Sequence, residues 1–549
     1  MKAEMKNRIL KFSLLSIIGI SNICVPLFAQ NNDDLNNKVV VEKEAKIFIQ
    51  EADKIDYTPL IIEKEIPTQE FECTTQDKFI TIDYSPTTLK AQGIKKELPV
   101  ESQNSYLKIG FGSLLMPLAE LNYNDIVKQK FSYGLKYKFF MAQGKLDNQK
   151  MNQHTAGIYA DYIAHKNLKM GFSLNYDRNS HHFYGYNLLT PKPEYLAENI
   201  RQNINHFDGK VYISNPTKNK QKIDYKQDVG FSYMFARNKN IEYAIYGNTL
   251  FTKQFLKKHF LNVDFKFDIN HLKYPSVVDT IKRNIFIAGA SYSFDDDNWN
   301  LKAGLKLAFD QKTTYLFPNL ITEKRLFKHF LIFYSAWNRE LQKNTYYSLV
   351  NQNPFVNDII EIKNTTVENR IAGFKGTIQN FDYDLRFTNK VVKRMPLYVN
   401  DTSDMKRFNV VYDRSVQVIN LQVEAGYHLN TNLKLDFTGN FYLYEPTDNE
   451  KAWHMPSLTG NLRATYLWNN KLQTYIDIFG LTGAYAKAKD GTATRLKGAV
   501  DINLGGEYKV HKYVSVFLDA KNIAHMKYQN YYLYPQFGAN VMIGVRLRY

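Results

Sequence analysis

Few residues of this sequence are spaced to do chemistry. A serine nucleophile held on a strained elbow needs G-x-S-x-G, but Gly289-Ala290-Ser291 continues into Tyr292 and Ser293. Neither H-E-x-x-H nor a phosphate-binding loop occurs. His181, His182 and His454 could act as bases, yet no serine or carboxylate stands near them in a recognisable pattern. Adjacent side chains on an extended chain project to opposite sides, so His181 and His182 make a poor metal pair. The Asp295 to Asp297 triplet lacks the glycine and glutamate of a calcium loop and reads as a polar turn. The expected catalytic residues, metal ligands and cofactors are therefore none, and the elements that carry these residues become the question.

The chain has 549 residues, 44 % of them hydrophobic and 23 % charged. Tyr at 39 and Phe at 36 outnumber Gly at 27 and Pro at 16, a composition suited to strands. A mean hydropathy of -0.42, with no apolar run of helical spanning length after the first 30 positions, excludes a helical membrane protein but not a membrane barrel.

Lys2, Lys6, Arg8 and Lys11 precede an apolar stretch from Phe12 to Ile23, which reads as a signal peptide (1–29) cut after Ala29. Cys24 stands in a weak lipid-attachment context, and cleavage would leave Cys73 alone, so no intramolecular disulfide is expected. Residues 30–103 carry nine bases and fifteen acids and read as an acidic periplasmic arm, extended or partly disordered, with a short strand at Phe79 to Tyr84. The whole chain has a net charge of +17, of which +3 belongs to residues 1–29 and -6 to the arm, so residues 104–549 hold +20.

From Asn104 onward apolar residues recur at every second position. Leu261, Val263, Phe265, Phe267 and Ile269 alternate with Asn262, Asp264, Lys266, Asp268 and Asn270. The same alternation runs through Phe131 to Phe139, Leu301 to Phe309 and Leu433 to Leu443. Segments of roughly ten residues match a tilted strand crossing a bilayer and exceed the five or six usual in a soluble sandwich. Tight polar turns at Asp295 to Asn298 and Trp468 to Lys471 alternate with long loops at Asn179 to His206, Tyr274 to Lys282, Leu341 to Ile362 and Pro446 to Pro456. Short turns on one side and long loops on the other are the outer-membrane pattern. The fold expected for 104–549 is thus all-β: a transmembrane antiparallel up-and-down barrel of about 20 to 22 strands, 22 favoured and 16 to 18 the alternative.

Strand parity places Lys108, Glu120, Lys136, Lys138, Asp177, Asp264, Asp268, Lys302, Lys306, Lys434, Asp436, Arg463, Arg546 and Arg548 opposite the apolar face, as candidates to line the lumen. They could simply brace a polar interior, or make a weakly anion-favouring path or a dock for an acidic segment. At the C-terminus Val541, Ile543, Val545, Leu547 and Tyr549 share one face, and the last is aromatic, which resembles the strand read by the outer-membrane assembly machinery.

Tyr513 to Asn522 (YVSVFLDAKN), Tyr528 to Pro535 (YQNYYLYP) and Phe537 to Tyr549 (FGANVMIGVRLRY) resemble the closing strands of TonB-dependent receptor barrels. Ser105 to Gly112 (SYLKIGFG), Asn344 to Val356 (NTYYSLVNQNPFV) and Lys451 to Pro456 (KAWHMP) are similar to a plugless receptor-like subgroup. The resemblance implies a Gram-negative outer-membrane protein that passes or binds solutes without catalysis. Its partners would be membrane lipids, lipopolysaccharide and the assembly machinery, together with a lipoprotein or another outer-membrane subunit in the alternative reading of a non-conducting scaffold barrel. The 74 residues of the arm are too few for the family's plug, and Lys38 to Glu42 is the only candidate TonB-contacting segment, so no TonB coupling is expected. Nucleic acid is not expected as a partner. The arm could thread into the lumen as a partial stopper.

Overall fold

The computed structural model describes residues 105–549, apart from 129, 166, 196, 216–222, 278, 279 and 312. The expected signal peptide, the arm and its strand at Phe79 to Tyr84 lie outside the described residues.

Period-two patterning becomes a closed sheet. Its 22 strands pair antiparallel with their neighbours in chain order, and the last, Asn540–Arg548, pairs back with the first, Tyr106–Gly112. Closure leaves no strand on an open edge, the condition for spanning hydrocarbon with β-structure. Val263, Phe265, Leu305 and Ile543 all face outward and are 44 %, 44 %, 55 % and 58 % exposed, an apolar exterior that only lipid can cover. Most strands run to 12–16 residues, and Phe381–Asn400 and Phe408–His428 reach 20 and 21. At about 3.3 Å per residue these overshoot an apolar band of roughly 25 Å. The strands therefore continue into the segments Asn179 to His182 and Arg201 to His206, which the sequence places in a loop.

Both the first and last strands begin or end at the rim where connections are tight. The turn after Trp468 shows why: Asn469 and Asn470 take φ of 47° and 57°, the left-handed pair a twisted two-strand connection needs, and asparagine tolerates it. At the other rim lie residues 183–200, 343–364, 447–457, 482–498 and 522–539, the longest connections between neighbouring strands of the barrel.

The inner wall is held by a repeated arrangement of glycine, tyrosine and a side-chain acceptor. Tyr475 crosses Gly505 on the next strand and donates 2.8 Å to Asp519 on the strand beyond, all three in register. Tyr159, Gly134 and Asn124 repeat it at 2.7 Å, and Tyr212 crosses Gly171 to Asp161. Tyr246 over Gly230 reaches Asp208 at 2.7 Å, and Tyr334 over Gly373 reaches Asp384, each two positions off register. A Cβ on any of these five glycines would collide with the tyrosine ring, so the glycine is required by the close approach.

Candidate functional site

The loop rim is not an open mouth. Residues 343–364 fold inward, and their helix Tyr346–Gln352 begins at Thr345, whose hydroxyl accepts from Ser348 N–H at 2.9 Å while Ser348 Oγ accepts from Thr345 N–H at 2.8 Å. A wall carboxylate, Glu242, accepts from the Tyr347 N–H at 3.1 Å, which favours the first turn electrostatically. The loop is pinched at its base by Asn344, fully buried, whose amide donates to Lys363 O at 2.7 Å and Thr365 Oγ1 at 2.8 Å. Arg283, projecting from the wall and 2 % exposed, donates to Asn344 O and Asn364 Oδ1. With its charge thus spread over neutral acceptors inside the barrel, it anchors the loop.

Around the helix a hydrophobic core forms from five separate stretches. Leu349, Val350, Phe355, Phe183, Tyr184, Tyr398, Phe408 and Tyr534 pack together, all buried. Phe355 and Tyr534 stack with centroids 3.5 Å apart, and Tyr184 meets Tyr534 edge-on at 4.9 Å. Polar ends are satisfied: Tyr184 Oη donates to Pro535 O at 2.9 Å, Tyr274 Oη to Ile360 O at 2.8 Å and Tyr531 Oη to Gln352 O at 2.5 Å. Burial pushes the Tyr346 phenol up to about 12. His454, 4 % exposed, donates from Nδ1 to Tyr398 O at 3.0 Å and accepts at Nε2 from Tyr532 N–H at 3.2 Å. Burial pulls it down to about 4, so the ring is neutral and structural.

The sequence-named charges lie on the inner face, mostly in pairs. Lys138 meets Glu120 at 2.7 Å, Lys434 meets Asp436 at 2.9 Å and Lys306 lies 3.8 Å from Asp264. Lys343, in the loop, reaches down to Asp268. Arg546 and Arg548 both bind Glu507, the first at 2.7 Å. Lys108 lies 4.2 Å over the Phe517 ring and Arg463 4.4 Å over Tyr475. Lys136 stands on the same face opposite Asn122, and Lys302 opposite Ser293. Asp177 accepts from Thr155 Oγ1 at 2.9 Å. Register therefore puts acids and bases on the inner face in near balance, and the surplus of bases read from the whole body is elsewhere. Part of it sits in the short turns, at Lys128, Lys130, Lys257, Lys258, Lys328, Lys471 and Lys512.

Two hollows among the described residues bear on the site. One of about 540 Å³ is on the lipid side, among Tyr162, Met170, Phe172, Val211 and Ile213. The other, about 350 Å³, is inside, between the wall and the folded loops. Among the described residues no group of three or more His, Cys, Asp or Glu is placed to hold a metal. The loop core was missed by the sequence reading, although Asn344 to Val356 carried a helix start at Thr345 and an apolar set at Tyr346, Leu349 and Val350.

No protein-family model matches the chain, and no curated protein matches it. Solved structures do. The FrpB iron transporter from Neisseria meningitidis is 11 % identical with a TM-score of 0.65, covering 81 % of this chain and 82 % of that one. A ferric enterobactin receptor (PfeA) mutant from Pseudomonas aeruginosa is 10 % identical with a TM-score of 0.62, covering 81 % and 80 %. The fold is that of a TonB-dependent receptor barrel. A third similar structure is the FpvAI-pyocin S2 complex, at 9 % identity and TM-score 0.61, covering 81 % and 73 %. With its apolar exterior and 22-strand closure, this chain is an outer-membrane barrel.

Proposed function

We propose that the chain is a receptor barrel that binds a solute behind a self-closed outer mouth and does no chemistry of its own, passage requiring the loops to move. The observation that supports this is the packed core made by residues 343–364 and 522–539 across the loop rim. A core with a capped helix and stacked rings costs several kcal/mol to open, so an open pore is not its resting state. The lysines of the short turns suit anionic headgroups of the inner leaflet.

Conductance in planar bilayers tests it. The intact chain is expected to be nearly silent, and replacing residues 346–355 with a Gly-Ser linker should produce large, long openings. A wide pore from the intact chain, or silence from the linker variant once it has inserted, would overturn the reading. The closed mouth also suits an accessory barrel that scaffolds a complex; co-purification of a stoichiometric partner from detergent-solubilised outer membranes, with no ligand bound, would favour that alternative.

A further inference from the structure

The interior hollow of about 350 Å³ has a lining with a definite chemistry. One side is barrel wall, with Gln153, Asn179 and Gln202 facing inward from three consecutive strands. The other side is folded loop, with Asn351 from the short helix and Tyr184 and Tyr531 from the core. Six carboxamides, five Tyr and Phe rings and two histidines, His181 and His182, line it, against one lysine and one aspartate, and that aspartate, Asp177, already accepts from Thr155.

Gln202 singles the hollow out as a site. It is 5 % exposed, and among the described residues neither its amide nitrogen nor its amide oxygen has a hydrogen-bond partner. A buried carboxamide left without partners is destabilising, so the position is stabilised when something in the hollow both accepts and donates there. Asn179 Nδ2 meets Asn351 Oδ1 at 3.2 Å across the same space, joining wall to loop helix.

From this we infer that the hollow is a binding site for a small, uncharged, hydroxyl-rich molecule of the size of one or two sugar rings. A hydroxyl both donates and accepts, which matches a carboxamide on each count, whereas a charged solute would find only one side chain of each sign. The aromatic rings offer flat apolar surface to the C–H face that such a molecule also carries. The volume is at the lower end for small-molecule pockets, which excludes a large chelate. Because the occupant touches wall and loop together, its binding favours the closed loop core over any open arrangement.

The inference rests on the receptor reading, and its test separates the two. Isothermal titration calorimetry on the full-length protein in detergent, with glucose, maltose and trehalose up to about 100 mM, should show saturable binding of at least one, since millimolar affinity registers there. Citrate at the same concentration serves as the charged control. Gln202→Leu, checked for folding by its heat-dependent gel migration, should weaken the binding at least tenfold, while Gln202→Asn should weaken it less. No saturable binding of any of the three sugars, stronger binding of citrate, or full affinity in folded Gln202→Leu overturns the site. If the sugars fail while the intact chain stays silent in bilayers, the pocket assignment falls alone. If a sugar binds and the intact chain conducts freely, the closed-mouth reading falls and the pocket stands.

Discussion

Phe355 and Tyr534 lie on different loops, and their rings stack 3.5 Å apart and 15° from parallel at the centre of the closed rim. Tyr534 Oη also donates to Lys406 O, so one side chain joins three loops. Phe355→Ala should cost roughly 3–5 kcal/mol of loop-core stability. The measurable result is flicker in an otherwise silent bilayer trace, because the loss is local and the barrel below is unaffected. A double-mutant cycle with Tyr534→Ala should leave a coupling of about 1 kcal/mol, read from the open fraction. Additive effects would mean that the stack is incidental.

Inside the wall, Tyr475 crosses Gly505 to reach Asp519 at 2.8 Å. Tyr475→Phe removes one hydrogen bond to a charged acceptor and should cost about 1.5–3 kcal/mol. Gly505→Ala should cost at least as much, because its Cβ must displace the ring and break the same bond. Both lower the temperature at which the folded gel band converts to the unfolded one. A Gly505→Ala protein as heat-resistant as the parent would show that the ring has room to move.

The barrel was legible because its cause is local: Leu261 to Asn270 alternates residue by residue, and one parity decides both lipid face and lumen face. The tight turn at Trp468 to Lys471 was legible for the same reason. The ladder of Tyr475, Gly505 and Asp519 was not, because its members meet only once strand register is set, and they are 14 to 44 positions apart in the chain. The closed rim was hidden for a further reason. Tyr184 and Phe355 sit in segments that read as ordinary external loops, Tyr534 in a stretch that reads as part of the closing strands, and Phe408 in none that stands out, so only their convergence makes them a core. The pairing of charges that parity names, such as Lys138 with Glu120, was not legible, because it too depends on register between strands.

On the lipid side, Val263 lies mid-strand and outward, 44 % exposed to what must be hydrocarbon. Val263→Arg should cost about 2–4 kcal/mol near the midplane. Asp264→Asn, one residue away and facing inward, should be mild, since Lys306 stands as far off as 3.8 Å. Accumulation in the outer membrane and refolding into detergent both report the difference. The reverse order would mean that the apolar face is a protein core.

His454 makes the closed rim sensitive to acid, and the sign follows from its burial. In an opened loop its pKa returns to the ordinary 6.5, while in the closed core burial holds it at about 4. Above pH 6.5 both states are neutral and the closed rim keeps its full stability. As pH falls from 6.5 toward 4 the opened state binds a proton that the closed state refuses, so opening becomes easier by up to about 3 kcal/mol, and below 4 no further change comes from this group. The accepted bond from Tyr532 N–H at Nε2 is the one that protonation would remove. Hydrogen exchange of residues 447–457 and 529–535, corrected for the intrinsic pH dependence of exchange, should show protection lost between pH 6.5 and 4.5 while the barrel strands stay protected. His454→Gln keeps a carboxamide in place of the ring and should flatten that dependence, whatever it costs in absolute stability. If the variant loses protection over the same pH interval as the parent, another group controls the rim.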